Sequence, residues 1–454
     1  LKVLQDAGGY PRGLDLPELT MMMAVGCYDI PSVDIDCRAI YTNTMAVGAY
    51  RGAGRPEAAY YIERAMNILA NKMGMDPAEL RKKNFIAPDK FPVTTATGEI
   101  YDTGEYAKTL DYALKVSNYQ ELREMQKKAR EEGRLVGIGM ASYVEICGFG
   151  PNDSSVVKVE PGGSVSVYTG ISPHGQGQET TFSQMVVDRL GADWDDIVVH
   201  HGDTDNTAMG QGTMGSRGLA VGGSALMMSL DKIRDKADKI AAHLLEVSPE
   251  DIELEDGKYQ VSGSPDQFKT LADIADAAYS GKVPEGMEAG LNTTDYFSPD
   301  DETFPFGTHI AVAEVDPDSG EVKLTDYYSI DDCGNVVSPQ LVEGQVHGGL
   351  AQGIAQALSE EAIYDESGQL VTATLMDYGM PKANLFPEFH LDRTVTTTPL
   401  NPLGAKGIGE AATIGSTPAT ANAVIDALAP LGITHLDIPL TAPKVWAAIQ
   451  AAKE

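Results

Sequence analysis

Apolar positions recur at helical spacing over residues 56–73, where Ile62, Ala65, Met66, Leu69 and Met73 share one face and Pro56 suits the first turn. Asp76 and Glu79 have the spacing of a capping box around Pro77 and predict a second helix running to about Asn84. Residues 86–104 are rich in Pro, Thr and Gly, and we expect them to be a linker between domains. Helical periodicity returns over 105–116 and 118–132, and then the period changes. LVGIGMASYVEI, SSVVKVE and SVSVYTG read as strands of a small sheet, the last two joined by Pro161-Gly162-Gly163. An amphipathic helix is predicted from about Gln178 to Leu190, leading into a buried strand at 197–200. A long helix follows over roughly 217–246. THIAVAEVD and EVKLTDYYSID should pair across a DPDSG turn, and helices near 338–358, 418–428 and 441–452 close the chain. No internal repeat is visible. The pattern is that of an α+β chain, with mixed small sheets and packed helices in two domains, 1–100 and 101–454.

Composition narrows what such a fold could do. The 454 residues hold 66 acidic against 34 basic side chains, a net charge of −32. Phosphate backbones need clustered Lys and Arg, so the balance speaks against nucleic acid, and equally against anionic membranes. A surface this acidic suits concentrated salt, where screening shortens the repulsion, and we expect a halophilic protein rather than an ordinary acidic enzyme. No apolar run reaches bilayer length and no signal peptide is visible, so a cytoplasmic location is expected. The first residue is Leu1, in what reads as mid-domain; a fragment, a processed chain or one half of a split subunit would each look like this. Cys27, Cys37, Cys147 and Cys333 form no CxxC pair and have no zinc or iron–sulfur spacing, and should be reduced and mostly buried.

Chemistry is suggested by glycines set beside polar side chains at distant points of the chain. In AYRGAGRPEAAY (49–60), Gly52 and Gly54 allow close backbone approach just before a helix, whose free N–H groups would face an anion. In SPHGQGQETTF (172–182), Gln176 and Gln178 flank Gly177, and neutral amides of this kind can read a heterocycle edge; a capped polar loop would look the same. In 202–225, Thr213, Gly215, Ser216 and Arg217 stand at the start of a long helix, and hydroxyls, amides and a guanidinium together suit a pyrophosphate. The spacing is neither that of a Walker A loop nor that of a Rossmann fingerprint. His200 and His201 read as ordinary strand-end residues. In LGAKGIGEAATIG (403–415) the single acid is Glu410. It could be a helix-start carboxylate gaining about 0.3–1 kcal/mol from the dipole. It could equally be a general base in a pocket of low polarity, with Lys406 as a nearby partner.

Together these stretches resemble the large, molybdopterin-binding subunit of the molybdenum hydroxylases, the xanthine dehydrogenase, aldehyde oxidase and aerobic carbon monoxide dehydrogenase family, and specifically its C-terminal part. Five segments match in order: AYRGAGR, GQGQET, GTMGSRG, the run 331–358 beginning DDCGNVVSPQ, and KGIGEAA. The resemblance implies a molybdopterin-binding region of the xanthine oxidase type with Glu410 as the catalytic base. It implies a cofactor grip built from Tyr50, Arg51, Gly52, Gln176, Gly177, Gln178, Thr213, Gly215, Ser216, Arg217, Asp332, Asn335, Lys406 and Gly409. The cofactor would be molybdopterin cytosine dinucleotide, its molybdenum held by the pterin and not by protein ligands. An aldehyde or N-heterocycle C–H carbon would be hydroxylated with water-derived oxygen, and the electrons would leave through an iron–sulfur small subunit and an FAD-binding medium subunit. A dimer of heterotrimers is implied, with a separate chain supplying the N-terminal half of the large subunit if the chain is a natural split.

Two departures qualify the resemblance. The carbon monoxide enzymes carry a copper-binding cysteine after Ala-Tyr-Arg, where this chain has Gly52, so no copper is expected. The family's large subunit is also about twice as long. The alternatives are a carbon monoxide dehydrogenase homologue without the copper cysteine, a non-catalytic scaffold of the same fold, and, more weakly, a phosphate transferase using Asp203 and Asp205.

Overall fold

A computed structural model describes residues 1–453 and places the chemistry-bearing loops around one buried helix. That helix, Ala411–Leu428, is built from Ala, Ser, Thr and Gly with few large side chains, and every residue in it except Asp426 is buried. It begins seven residues before the predicted start at 418, because Gly415 and Pro418 hid its first two turns from periodicity.

The helix lies against a four-stranded sheet ordered Phe389–Arg393, Val322–Asp332, Phe306–Val315, Leu135–Val144. The first pair is parallel and the others antiparallel. All ten residues of Leu135–Val144 are buried, as expected of a strand covered on both faces. Its glycines allow the contact. A Cβ at Gly137 would stand 2.0 Å from the Ala423 carbonyl oxygen, and one at Gly139 2.1 Å from that of Ala419. The helix Pro339–Leu358 packs on the other side through Gly349 and Gly353, where Thr413 and Thr417 donate hydrogen bonds to the glycine carbonyls. Gly139→Ala should therefore lower stability by about 1–3 kcal/mol, read as a drop in urea midpoint at unchanged slope.

A second four-stranded sheet, ordered Leu291–Phe297, Asp153–Val159, Val165–Thr169, Ile197–His200, carries the helices Gln178–Leu190 and Ser224–Leu245 on its apolar face. The three strands expected to form one sheet thus divide between two, because Leu135–Val144 pairs with Phe306–Val315. The strand Ile197–His200 is an edge strand with Val198 exposed, not a buried one. The 86–104 stretch forms a small hairpin, Val93–Thr94 with Ile100–Tyr101, and Tyr101 is fully buried under it.

The helix Arg55–Met73 corrects the sequence pattern in a different way. Leu69 and Met73, assigned to its apolar face, are exposed, and the buried side presents Tyr60, Glu63, Arg64 and Asn67. Glu63 meets Arg81 of the next helix, Pro77–Asn84, at 2.6 Å with both side chains fully buried. Glu63 also accepts the Ser142 N–H at 3.0 Å and the Tyr28 hydroxyl. Burial on that face is fixed by charge pairing across the core, which hydropathy does not register. Among the described residues no helix is long and apolar enough to cross a membrane.

Candidate active site

Five loops that each run into a helix start converge on one cavity of about 710 Å³. They precede the helices Arg55–Met73, Gln178–Leu190, Pro339–Leu358 and Ala411–Leu428, and the π-helical turn Gly218–Gly223 that opens Ser224–Leu245. Each helix start aims unsatisfied N–H groups outward, and together they make the cavity a place for anionic or strongly polar ligand atoms.

Glu410 lies on the cavity wall at the N-cap of Ala411–Leu428, but its carboxylate makes no capping bond. Its Oε1 accepts the Gly52 N–H at 3.0 Å and Arg55 Nη2 at 2.8 Å, and its Oε2 lies 3.0 Å from the Ser216 hydroxyl. The side chain keeps 17% exposure, on the cavity side. The surroundings are therefore not the low-polarity pocket expected, but a fixed set of donors that points one carboxylate into the cavity.

Arg55 is buried and bridges Glu410 to a second acid, Glu145, whose Oε1 it meets at 3.1 Å. Its remaining bonds run to the carbonyls of Ile146 (2.6 Å) and Gly52. Burial alone would lower its pKa, but Glu410 and Glu145 outweigh that and keep the guanidinium charged. Glu145 is fully buried, and burial pushes its pKa up to about 8, against the pull of Arg55 and with the help of Glu410. Ser216 closes the group: its hydroxyl lies 2.9 Å from Glu145 Oε1 and accepts the Glu410 backbone N–H at 3.1 Å. Ser216 holds a left-handed backbone, φ 54°, a conformation that costs a non-glycine residue about 1–3 kcal/mol and that here delivers its hydroxyl between the two acids.

The other expected residues divide into those at the cavity and those behind it. Tyr50, Arg51, Gln176, Gln178, Thr213, Gly215, Asn335 and Gly409 line it. Arg51 is held by the Gly409 carbonyl, by Gln352 Oε1 at 3.1 Å and by Gln345 at 3.1 Å, and the Tyr50 hydroxyl donates to Glu360 at 3.1 Å. Gly52 contributes its N–H to Glu410, and a Cβ there would stand 2.6 Å from Pro56. Gly177 is the N-cap of its helix, with Leu341 2.6 Å from where a Cβ would be.

Three expectations are corrected. Arg217 does not reach the cavity: it is fully buried in an ion pair with Asp153 at 2.8 Å, bracing the loop from behind. Lys406 is not the partner of Glu410. It lines the cavity, but its ammonium is buried 3.1 Å from the Phe304 carbonyl and 3.7 Å from Asp102, and burial lowers its pKa while Asp102 opposes the shift. The Asp332 carboxylate is turned to Gly334, Thr394 and Thr396, all at 2.8–3.1 Å, and fastens the 394–396 segment instead of facing a ligand. Asp203, weighed as a magnesium ligand, closes a turn through the Asp205 N–H.

The cavity residues suit a polar heterocycle such as a pterin. Gln178 Oε1 and Thr213 Oγ1 are buried without a hydrogen-bond partner, and a polar group in the cavity would satisfy them. A Cβ at Gly175 would meet nothing within 4 Å, which leaves that loop open to close approach.

Comparison with known proteins agrees with this arrangement. Two family descriptions match, each a "Molybdopterin cofactor-binding domain", over residues 1–85 and 112–387. The chain is 39% identical to the carbon monoxide dehydrogenase large chain of Hydrogenophaga pseudoflava over 99% of its own length and 58% of that protein's. Among solved structures it is similar to the Cu,Mo-CO dehydrogenase in its carbon monoxide reduced state, at a TM-score of 0.93 and 37% identity, covering 99% of this chain and 59% of that one. It is likewise similar to quinoline 2-oxidoreductase from Pseudomonas putida 86, at 0.92 and 35%, covering 98% and 59%. The chain thus spans a little under three-fifths of the length of these relatives.

Proposed function

Because this chain belongs to the molybdopterin-binding large subunits of the molybdenum hydroxylase family, we propose that it is the catalytic portion of an oxidoreductase that hydroxylates a C–H carbon of an aldehyde or an N-heterocycle. The observation that carries this is the placement of Glu410 on the wall of the converging-loop cavity, its carboxylate fixed by Gly52, Arg55 and Ser216. A group so held can accept a proton from the cavity without reorganising, which is what a general base requires.

Gln178, Thr213 and Asn335, with the N–H groups of the helix starts, would hold the molybdenum pterin in its cytosine dinucleotide form. Arg51 and Tyr50 would bound its reacting end. When bound, that group supplies the two-electron redox chemistry and the water-derived oxygen of the hydroxylation. Glu410 supplies the proton acceptor, and Phe149, Met214 and Leu19 supply an apolar wall for a flat or aldehydic substrate.

Carbon monoxide oxidation with copper is disfavoured in this reading, because Gly52 offers no thiolate and Pro56 crowds the space a side chain there would need. The electrons would pass to iron–sulfur and FAD-binding subunits, with the other half of the large subunit supplied by further polypeptide. The complex purified with its partners should contain stoichiometric molybdenum and release cytidine monophosphate on acid hydrolysis. Fully assembled complex lacking both would overturn the assignment.

A further inference from the structure

Ser216 has one hydroxyl hydrogen and faces two carboxyl groups, Glu145 Oε1 at 2.9 Å and Glu410 Oε2 at 3.0 Å. It also receives the Glu410 N–H at 3.1 Å. With both acids ionised the hydroxyl can satisfy only one of them, and the other oxygen would face a lone pair at hydrogen-bond distance. With one acid protonated the count closes. The protonated carboxyl donates to Ser216 Oγ, Ser216 donates to the ionised carboxylate, and the Glu410 N–H fills the second lone pair. We propose that Glu145 is the protonated member, a positioning residue whose O–H donates through Ser216 and thereby holds Glu410 ionised, oriented and ready to accept a proton from the cavity.

Burial assigns the roles. Glu145 is fully buried, its Oε2 has no protein partner, and its Oε1 meets one guanidinium edge and the Ser216 hydroxyl. Glu410 keeps its cavity exposure and three donors: the Arg55 guanidinium, the Gly52 N–H and Ser216. The charged groups facing Glu145 are Arg55 at the start of its helix, Arg51 in the loop before it and Glu410 across Ser216. The Cys147 thiol, two residues along the same strand end, is itself kept protonated by burial. The net balance leaves Glu145 with a pKa of about 8. Its folded value is raised above the ordinary glutamate value, so the proton is held at neutral pH and lost as pH rises through about 8. Beyond that point Ser216 is shared between two carboxylates, and Glu410 keeps Gly52 and Arg55 on Oε1 but loses the assured donor on Oε2.

The inference rests on the proposed base role of Glu410, and its test separates the two. In the assembled holoenzyme, infrared difference spectra taken across about pH 8 should show a protonated carboxyl disappearing. That signal should vanish in Glu145→Gln and persist in Glu410→Gln. In kinetics, the native complex should show a fall in kcat/KM above about pH 8 that Glu145→Gln removes. Glu145→Ala should lower kcat about tenfold, and Gln, whose one atom at this position can either donate to Ser216 or accept from Arg55 but not both, should recover only part of it. A carboxyl signal that survives in Glu145→Gln, a native complex with no such signal, or an alkaline step unmoved in Glu145→Gln would each overturn the proposal. Full turnover in Glu410→Gln would remove the base role alone and leave the infrared result to decide the hydrogen-bond chain.

Discussion

Glu410→Gln should lower turnover of the assembled complex by about 10²–10⁴-fold while molybdenum and pterin content stay at the native level. The substitution is nearly isosteric. The amide oxygen can still accept from the Gly52 N–H at 3.0 Å and from Arg55 at 2.8 Å, so the loop and the helix start keep their geometry. What is lost is the negative charge and with it the capacity to take a proton. Activity measured against bound metal therefore separates chemistry from cofactor retention. A variant with undiminished turnover per molybdenum would return Glu410 to the role of a carboxylate at a helix start, and would favour a scaffold of the same fold over an enzyme.

Arg55→Met should be the most destabilising single change at the site, by about 3–5 kcal/mol. The guanidinium lies between two acids, within 3.1 Å of each, and supplies bonds to the carbonyls of Gly52 and Ile146 as well. Methionine fills much of the volume but takes the counter-charge from Glu410 and leaves Glu145 Oε1 and the Ile146 carbonyl buried without their guanidinium donor. The urea midpoint should fall accordingly. Combining the change with Glu410→Gln should recover part of the loss, since the double variant no longer leaves an ionised acid without its cation. That coupling is the signature of the ion pair, because two independent packing defects would simply add.

Much of the scaffold could be read from periodicity. The helices Gln178–Leu190 and Tyr106–Val116, and the strands on either side of the DPDSG turn, lie within a residue or two of where apolar spacing put them. Four of the five loops were legible for the same local reason, glycine, polar side chain and helix start lying close together, while the one before Pro339–Leu358 was found only through the family resemblance. Partnerships across the chain were not. Arg55 and Glu410 are 355 residues apart, and Glu145 stands in an apolar run, ASYVEI, where its only signal was an acid in the wrong company. Proximity in sequence misled at Lys406, which is four residues before Glu410. That spacing brings side chains together only on a helix, and 406–410 is the loop ahead of one. Arg217 was placed on a ligand because it stands at a helix start, but Asp153, on a strand beneath, claims it. The face of Arg55–Met73 was misjudged because Glu63 and Arg81 are buried together, so neither looks like a core residue alone.

The helix Ala411–Leu428 has a consequence for anyone wishing to redirect the catalyst. Glycines of two neighbours touch its backbone, a Cβ at Gly137 or Gly139 would collide with its carbonyls, and every residue in it except Asp426 is already buried. The floor under Glu410 is thus closed to redesign. Room for altered selectivity lies among the other side chains that line the cavity, Leu16, Leu19, Phe149 and Met214.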